Sequence, residues 1–372
     1  MRAIGMILAG GNSRKMRELS NRRATAAMPV AGGYRTIDFV LSSMAASGIK
    51  SVAVLTQYNS RSLNMHLNSS KWWGFGRKQG GLYVFNPTQT ATRSDWYRGT
   101  ADALVQNLDF LKSSHEPYVV IAGGDCIFRM DFNDVLNYHM EKRADITVVT
   151  TAMPEGEEPA RFGFVRTEED GRITDFEEKP VSTDKNLISC GIYVIRRRHL
   201  IELLEKCREE DRIDFVQDIL VRYRGIRRIY AYQMNTYWRN IASVESYYRT
   251  NMEFLNPEVR AYFAEDPGIL TKVEDLPPAK YNKGCSVSNS LVADGCIING
   301  RVENSLLFKD VYIGNNCTIR NSIVLNNVYI GDNTVLENCI VESRDVIRDG
   351  STYIGTPEEP AIVIEKNDRY AG

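Results

Sequence analysis

Four short stretches carry residue types that could handle a phosphorylated sugar or a nucleotide. In Leu8-Ala9-Gly10-Gly11-Asn12-Ser13-Arg14-Lys15-Met16, paired glycines let backbone N–H groups approach a phosphate closely and the cations beyond them would neutralise it. A plain turn explains the same residues equally well. Ile121-Ala122-Gly123-Gly124-Asp125 puts an acid at the end of an apolar run. Mg²⁺ on a nucleoside triphosphate takes one or two carboxylates and leaves its other positions to phosphate and water, although a turn-capping aspartate has the same signature. Phe176-Glu177-Glu178-Lys179-Pro180, followed by Ser189-Cys190-Gly191-Ile192-Tyr193, offers a lysine as a point charge for a sugar phosphate and Glu and Ser for hydroxyls. A solvated hairpin would read alike. Tyr237-Trp238-Arg239-Asn240-Ile241-Ala242-Ser243, taken by itself, demands no function.

The elements that must position these groups alternate. The apolar run Ala3 to Ala9 reads as a buried strand ending at Gly10-Gly11, and Ile37, Val40, Leu41 and Met44 recur at helical spacing from Thr36 to Ser47, with Gly48 as a stop. The pattern predicts strands at Ser51 to Thr56, Tyr118 to Ala122 and Asp145 to Thr151, and helices at Gly99 to Leu111 and Phe132 to Glu141. Alternation of this kind implies an α/β domain with a largely parallel sheet covered on both faces. Ligands then bind beyond the carboxyl ends of strands, where Gly10-Gly11 and Gly124-Asp125 fall. The stretch from about Lys71 to Asp95 lacks periodicity and reads either as a functional loop or as plain surface.

After about Pro257 the chain repeats itself every seventeen residues. Tyr312-Ile313-Gly314-Asn315-Asn316 matches Tyr329-Ile330-Gly331-Asp332-Asn333, Asn321-Ser322-Ile323-Val324 matches Asn338-Cys339-Ile340-Val341, and Asn304-Ser305-Leu306-Leu307 stands one period earlier. Such a period predicts a solenoid, here a parallel β-helix with apolar side chains stacked inward and Gly or Asn at the corners; an irregular β domain is the alternative. The expected organisation is a first domain over residues 1–256, a linker over 257–282 containing Pro267, Pro277 and Pro278, and a β-helix over 283–372.

Composition narrows the partners. The 372 residues exceed what one core usually serves, and a net charge of −1 argues against nucleic acid as the main partner. No apolar run approaches the length of a membrane span, so no membrane partner and a cytoplasmic location are expected. Seven cysteines without a C-x-x-C pair suit reduced thiols, and the four scattered histidines give no zinc spacing.

Taken together and in order, these motifs resemble the glucose-1-phosphate adenylyltransferase family along nearly the whole chain. The match also includes Phe39-Val40-Leu41-Ser42, Leu55-Thr56-Gln57-Tyr58, Trp96-Tyr97-Arg98-Gly99-Thr100-Ala101-Asp102-Ala103 and Asp214-Phe215. The resemblance implies a Rossmann-like, GT-A-like nucleotidyltransferase domain followed by a left-handed parallel β-helix. It implies tetramers that make ADP-glucose and pyrophosphate from ATP and glucose 1-phosphate, for glycogen or starch, by in-line attack on the α-phosphorus with Mg²⁺ offsetting charge. By resemblance, Leu8, Ala9, Gly10, Gly11, Tyr97, Gly99 and Thr100 face the nucleotide. Glu178, Lys179, Ser189 and Gly191 face the sugar phosphate, Gln57 and Trp96 couple an activator site to the ATP site, and Asp125 holds the metal.

The departures from the family pattern carry the functional expectation. Active members read L-A-G-G-x-G-x-R-L, and here Ser13 replaces the third glycine and Lys15 the arginine; R-A-K-P-A has become Arg23-Ala24-Thr25-Ala26-Ala27. The aspartate of Y-W-x-D that shares the metal with Asp125 is Asn240, Ser-Gly-Asp-His has become Gly123-Gly124-Asp125-Cys126, and Gln217 stands for the lysine after Asp214-Phe215. Losing one preorganised electrostatic group commonly costs about 3 kcal/mol, roughly two powers of ten in rate. Degeneration at Ser13, Lys15, Thr25 and Asn240 beside an intact sugar-phosphate motif resembles the regulatory, D-type subunit that accompanies a catalytic one in mixed tetramers of some Gram-positive bacteria. Its partners would be that catalytic subunit, with ATP, glucose 1-phosphate or a sugar-phosphate effector as ligands and Mg²⁺ accompanying any nucleotide. A slow stand-alone enzyme and a non-enzymatic sensor remain the alternatives.

Overall fold

The computed structural model describes residues 2–11, 13–76, 80–88, 95–154 and 156–365. Asn12 of the glycine stretch and parts of the segment from Lys71 to Asp95 lie outside the described residues. The chain divides into two compact units, one of residues 1–11 and 39–240, the other of residues 12–38 and 241–372.

The first unit is built on a nine-stranded sheet. Strand β1 (Ala3–Leu8) pairs in parallel with β2 (Ser51–Leu55), which pairs in parallel with an edge strand β3 (Gly81–Phe85) inside the stretch that lacked periodicity. On its other side β1 pairs in parallel with β4 (Tyr118–Gly123). The β1 residues Ile4, Met6 and Ile7 are fully buried, as expected for a strand covered on both faces. Helix α1 (Thr36–Ala46) follows the predicted periodicity.

Two expectations need correction. The helix foreseen over Gly99 to Leu111 is two helices, α2 (Thr100–Gln106) and α3 (Leu108–Ser113). Asn107 separates them: its φ is −111°, and its side-chain amide donates to the Ala103 carbonyl at 2.8 Å and to the Tyr97 hydroxyl at 3.1 Å. The sheet is mixed rather than largely parallel. Beyond β5 (Cys126–Phe128), α4 (Phe132–Glu141) and β6 (Ile146–Ala152) lie β7 (Gly163–Thr167), β8 (Ile173–Glu178) and β9 (Leu187–Arg196). Strand β9 runs antiparallel to β4, β6 and β7. Its pairing with β6 shifts register between Ser189 and Tyr193, with Gly191 at φ +69°, a conformation that costs glycine little. Helix α5 (Arg197–Glu209) packs Leu200, Leu203 and Leu204 into the core, and β10 (Ile229–Gln233) completes the sheet against β6. A short pair stands apart: β11 (Trp238–Asn240) lies antiparallel to β5, with Asn240 opposite Cys126.

In the second unit, three five-stranded parallel sheets form the left-handed β-helix. Val302, Ile319 and Leu336 share one column, and Ile298, Ile313, Ile330 and Ile347 another, all fully buried. Each such side chain contributes about 1.5–3 kcal/mol of burial. Corners repeat with the strands: Asn304, Asn321 and Asn338 have φ between 47° and 51°, the left-handed region that asparagine tolerates best after glycine. The stretch 257–282 is not featureless, since Pro257–Ala264 is a helix and Lys280–Tyr281 already pairs with Ile297–Ile298.

Helix α6 (Val244–Glu253), opened by a capping box of Ser243 and Ser246, ties this unit together. Its Tyr247 hydroxyl donates to the Pro29 carbonyl at 2.7 Å, and its neighbour Tyr248 donates to the Asn321 carbonyl. Arg23 and Glu342, both buried, form an ion pair between the segment 12–38 and the β-helix. No helix among the described residues is long and apolar enough to cross a membrane.

Candidate functional site

Strand ends create a pocket in the first unit. β4 terminates at Gly123, and the Gly124 N–H donates to the Leu8 carbonyl at 3.0 Å, so Asp125 emerges beyond the ends of two parallel strands. The antiparallel β5–β11 pair then sets Asn240 across from Cys126. The β8 end supplies Glu178, and the irregular stretch of β9 supplies Ser189 and Gly191. The resulting pocket, about 160 Å³, is lined by Gly123, Asp125, Cys126, Arg161, Glu178, Ser189, Gly191 and Asn240, with Phe162, Phe176 and Trp238 as apolar wall. A Cβ on Gly123 would meet Asp125 Oδ1 at 2.8 Å, so glycine there leaves room for the carboxylate.

The sequence motifs at Asp125, Glu178, Ser189 and Asn240 therefore converge, although the first and last stand more than a hundred residues apart in the chain. Glu178 is largely buried and pairs with Lys179 Nζ at 3.1 Å, while the Lys179 ammonium itself is exposed. Its neighbour Glu177 is committed elsewhere, bound to buried Lys185 together with Asp175. Ser189 Oγ accepts from the Gly191 N–H at 3.3 Å.

At the other end of the pocket the polar groups satisfy one another. Arg161, which the sequence motifs did not include, has a side chain only 9% exposed and forms an ion pair with Glu157. Its Nη2 donates to the Asn240 carbonyl at 3.2 Å and to Asn240 Oδ1 at 3.3 Å. The Asn240 amide in turn donates to Cys126 Sγ at 3.4 Å, and that thiol donates to Asp125 Oδ1 at 3.7 Å. Burial pushes the Asp125 carboxyl up from its usual range, opposed by hydrogen bonds from its own N–H, Asn240 and Cys126 and by the charge of Arg161. Burial also raises the Cys126 thiol well above its ordinary value, which makes it inert.

These residues fit a divalent cation poorly. Asp125 is the carboxylate that lines the pocket here, and the Asn240 oxygen that could join it already accepts from the Arg161 guanidinium, which is itself paired with Glu157. A divalent ion sharing that oxygen would meet the guanidinium across it, a repulsion that the Glu157 carboxylate on the same guanidinium offsets only in part. Among the described residues no group of three or more His, Cys, Asp or Glu side chains is arranged to hold a metal.

The nucleotide-facing candidates of the first unit are also ordered. Leu8, Ala9 and Gly10 continue β1, and the Ala9 N–H donates to the Leu55 carbonyl at 2.8 Å; Gly11 is exposed with open space around it. Gln57 clamps Tyr97 through both backbone groups, accepting from its N–H at 2.8 Å and donating to its carbonyl at 3.1 Å. Gly99 has no room for a side chain, since a Cβ would lie 2.4 Å from the Ile213 carbonyl oxygen. Thr100 Oγ1 accepts from the Phe215 N–H at 2.9 Å, and Trp96 is exposed.

Ser13, Lys15 and Thr25 belong to the second unit. The Ser13 hydroxyl donates to the Ala242 carbonyl, Thr25 is buried with its carbonyl accepting from Thr36 Oγ1 at 2.7 Å, and Lys15 is exposed.

Arg161 escaped the motifs because a cation between Pro159-Ala160 and Phe162-Gly163 reads as solvated loop; only the fold turns it inward.

Two family models match the chain, "Nucleotidyl transferase" over residues 4–256 and "GlmU-like, C-terminal hexapeptide" over residues 277–361. Curated glucose-1-phosphate adenylyltransferases are similar along most of its length. That of Clostridium acetobutylicum is 40% identical over 323 residues, covering 85% of this chain and 84% of the relative. That of Pseudothermotoga lettingae is 39% identical over 323 residues (86% and 76%), and that of Thermotoga maritima 39% over 322 residues (85% and 76%).

Proposed function

The chain belongs to the glucose-1-phosphate adenylyltransferase family, and from that premise we propose that it is a regulatory partner of a catalytic homologue that makes ADP-glucose from ATP and glucose 1-phosphate in glycogen biosynthesis. The observation that carries this reading is the state of Asn240. Where the family's second metal aspartate is expected, an amide stands whose oxygen accepts from Arg161. Chemistry that runs on positioned charge loses most of its rate when a metal-holding carboxylate is gone. The buried Thr25, in place of a phosphate-facing lysine, removes a further charge from the same reaction, and the exposed Lys15, in place of an arginine, keeps its charge but lacks the planar fork that holds phosphate bidentately.

The sugar side supports retained binding. Glu178 and Ser189 line a pocket large enough for part of a hexose phosphate, with the exposed Lys179 beside it as a point charge. The bidentate Gln57–Tyr97 clamp supports a coupling role, because a change at either side must break two hydrogen bonds at once. A mixed tetramer in the cytoplasm, with effectors acting through this chain, completes the proposal; the seven cysteines, all free, suit that compartment.

Pyrophosphate release is to be measured for the chain alone, for its catalytic homologue alone and for the two mixed, together with the mass of the mixture. The expected outcome is a rate for the chain alone at least one hundred-fold below that of the homologue, one mixed complex, and an altered effector response. A rate for the isolated chain comparable with the homologue refutes the proposal, and a chain that never co-elutes with the homologue points to a separate sensor.

A further inference from the structure

The hairpin of β7 and β8 has two faces with different partners. Phe176 and Glu178 look into the pocket, and Gly163, opposite Glu178 in register, leaves room for both, since a Cβ there would lie 2.7 Å from Glu178 Oε2 and 2.7 Å from the Phe176 ring. Side chains alternate along a strand, so Asp175 and Glu177 stand on the other face. The loop between β8 and β9 covers that face. Lys185, whose side chain is 2% exposed, reaches Asp175 Oδ2 at 2.9 Å and Glu177 Oε1 at 2.5 Å. The Thr183 hydroxyl donates to Glu177 Oε2 at 2.9 Å and accepts from the Lys185 N–H at 3.2 Å, and Asp184 pairs with Arg166 of β7 at 2.8 Å. Three consecutive loop residues thus clasp the hairpin from behind. Asp184 and Arg166 are both exposed, where an ion pair contributes little, and Arg224 Nε lies 3.9 Å from Asp175, beyond hydrogen-bond distance. The buried ammonium of Lys185 is therefore the centre of the clasp.

We propose that Lys185 is a positioning residue for the sugar-phosphate wall: by bridging Asp175 and Glu177 it holds the loop against the back of the hairpin and so fixes Lys179 beside Glu178 at the pocket rim. The inference rests on the reading of Glu178, Lys179 and Ser189 as that wall. Only Pro180, Val181 and Ser182 separate Lys179 from the clasp, and the fixed φ of proline stiffens this tether. Lys179 itself has φ +50°, in the left-handed region that a side chain disfavours, and its N–H donates to the Phe162 carbonyl at 2.9 Å. A residue in that conformation stays there because its surroundings hold it. Without the ammonium, Asp175 and Glu177 would face each other as like charges on one face of one strand. The loop would then part from the hairpin, and Lys179 would relax to an ordinary backbone conformation, carrying its charge away from Glu178.

Two measurements on the full chain test this. Hydrogen exchange, read by mass spectrometry at single residues, is compared for the wild type and Lys185→Met. Glucose 1-phosphate affinity is measured by calorimetry for both, for Lys179→Ala and for the double variant Lys179→Ala/Lys185→Met. The Lys179 N–H should exchange about tenfold faster in Lys185→Met, with the amides of β4 unchanged. Affinity should fall about fivefold in Lys185→Met, and the double variant should bind within about twofold of Lys179→Ala, because nothing remains to be positioned once that ammonium is gone. Unchanged exchange at Lys179 overturns the inference, as does faster exchange with full affinity, or a double variant whose loss is the product of the two single losses. Should Lys185→Met fail to fold, Glu177→Gln, which weakens the clasp from its more exposed side, takes its place under the same criteria. Absence of glucose 1-phosphate binding by the wild type sinks the sugar-phosphate reading itself, whereas normal wild-type binding with unchanged exchange in the variant sinks this inference alone.

Discussion

Two regions of the molecule, one that departs from the family pattern and one that keeps it, are built in opposite ways. In the segment from Ser13 to Thr25, two of the positions read above as degenerate, Ser13 and Thr25, are held by the scaffold. The Ser13 hydroxyl holds the Ala242 carbonyl and Thr25 is buried, two residues from Arg23, which matches the family pattern and is locked to Glu342. Along the wall formed by Glu178, Ser189 and Gly191, polar groups still line an open volume. On the proposed reading, a position released from catalysis is recruited by packing, while one that meets a ligand stays open to it. Substitutions in the first region should therefore move stability and leave sugar-phosphate affinity alone, and those in the second should do the reverse.

The strongest challenge to that contrast is Arg23→Ala. Removing one partner of a buried ion pair leaves the Glu342 carboxylate uncompensated, so unfolding free energy should fall by about 3–5 kcal/mol, read by denaturant titration, with glucose 1-phosphate affinity unchanged in the folded protein. Lost affinity with intact stability would reverse the assignment.

A pH titration of stability calibrates the scaffold of the first unit. His139 is buried, its Nδ1 is within hydrogen-bond distance of Thr147 Oγ1 at 2.9 Å, and Nε2 has no hydrogen-bond partner among the described residues. Burial, helped by the charge of Arg196, depresses the imidazole from 6.5 to about 4. The unfolded chain takes up this proton first, so stability should be full above pH 6.5 and decline as pH falls toward 4. The slope approaches 1.4 kcal/mol per pH unit, about 3 kcal/mol in all. His139→Gln should remove that slope without altering sugar-phosphate binding at neutral pH.

Glu178→Ala sharpens the other side. Loss of a charged hydrogen-bonding group should weaken glucose 1-phosphate by about 1.5–3 kcal/mol, roughly ten- to one hundred-fold by calorimetry, while the melting temperature moves little. The smallest effect is expected for Ser13→Gly. It restores the family residue yet should cost about 1 kcal/mol of stability, because the bond to Ala242 is lost and chain entropy rises, and it should not raise turnover.

Much of the architecture could be read in advance, for reasons visible in particular residues. The period that aligns Tyr312 with Tyr329 is the same seventeen-residue offset that pairs their strands, because a β-helix coil must return to one register to stack. Helix α1 obeyed its apolar spacing. Strand direction could not be read: β9 shows the same apolar run whether parallel or antiparallel, since both of its faces are buried. The break at Asn107 depended on a side chain finding Tyr97, a contact ten residues back that no local propensity contains. Of the pocket, the residues in motifs were legible and Arg161 was not. Its importance comes from lying against Asn240, seventy-nine residues away in the chain.

The membership of residues 12–38 in the second unit bears on how such proteins can be recombined. A hybrid spliced once, just before the solenoid, would take Glu342 from one parent and Arg23 from the other, and would strand the hydroxyl of Tyr248 from the coil whose Asn321 it serves. A transplant that carries the early segment along with everything after residue 240 keeps those partners native to each other. Anyone moving regulatory behaviour from one subunit to another must therefore make two cuts near the start and a third far downstream.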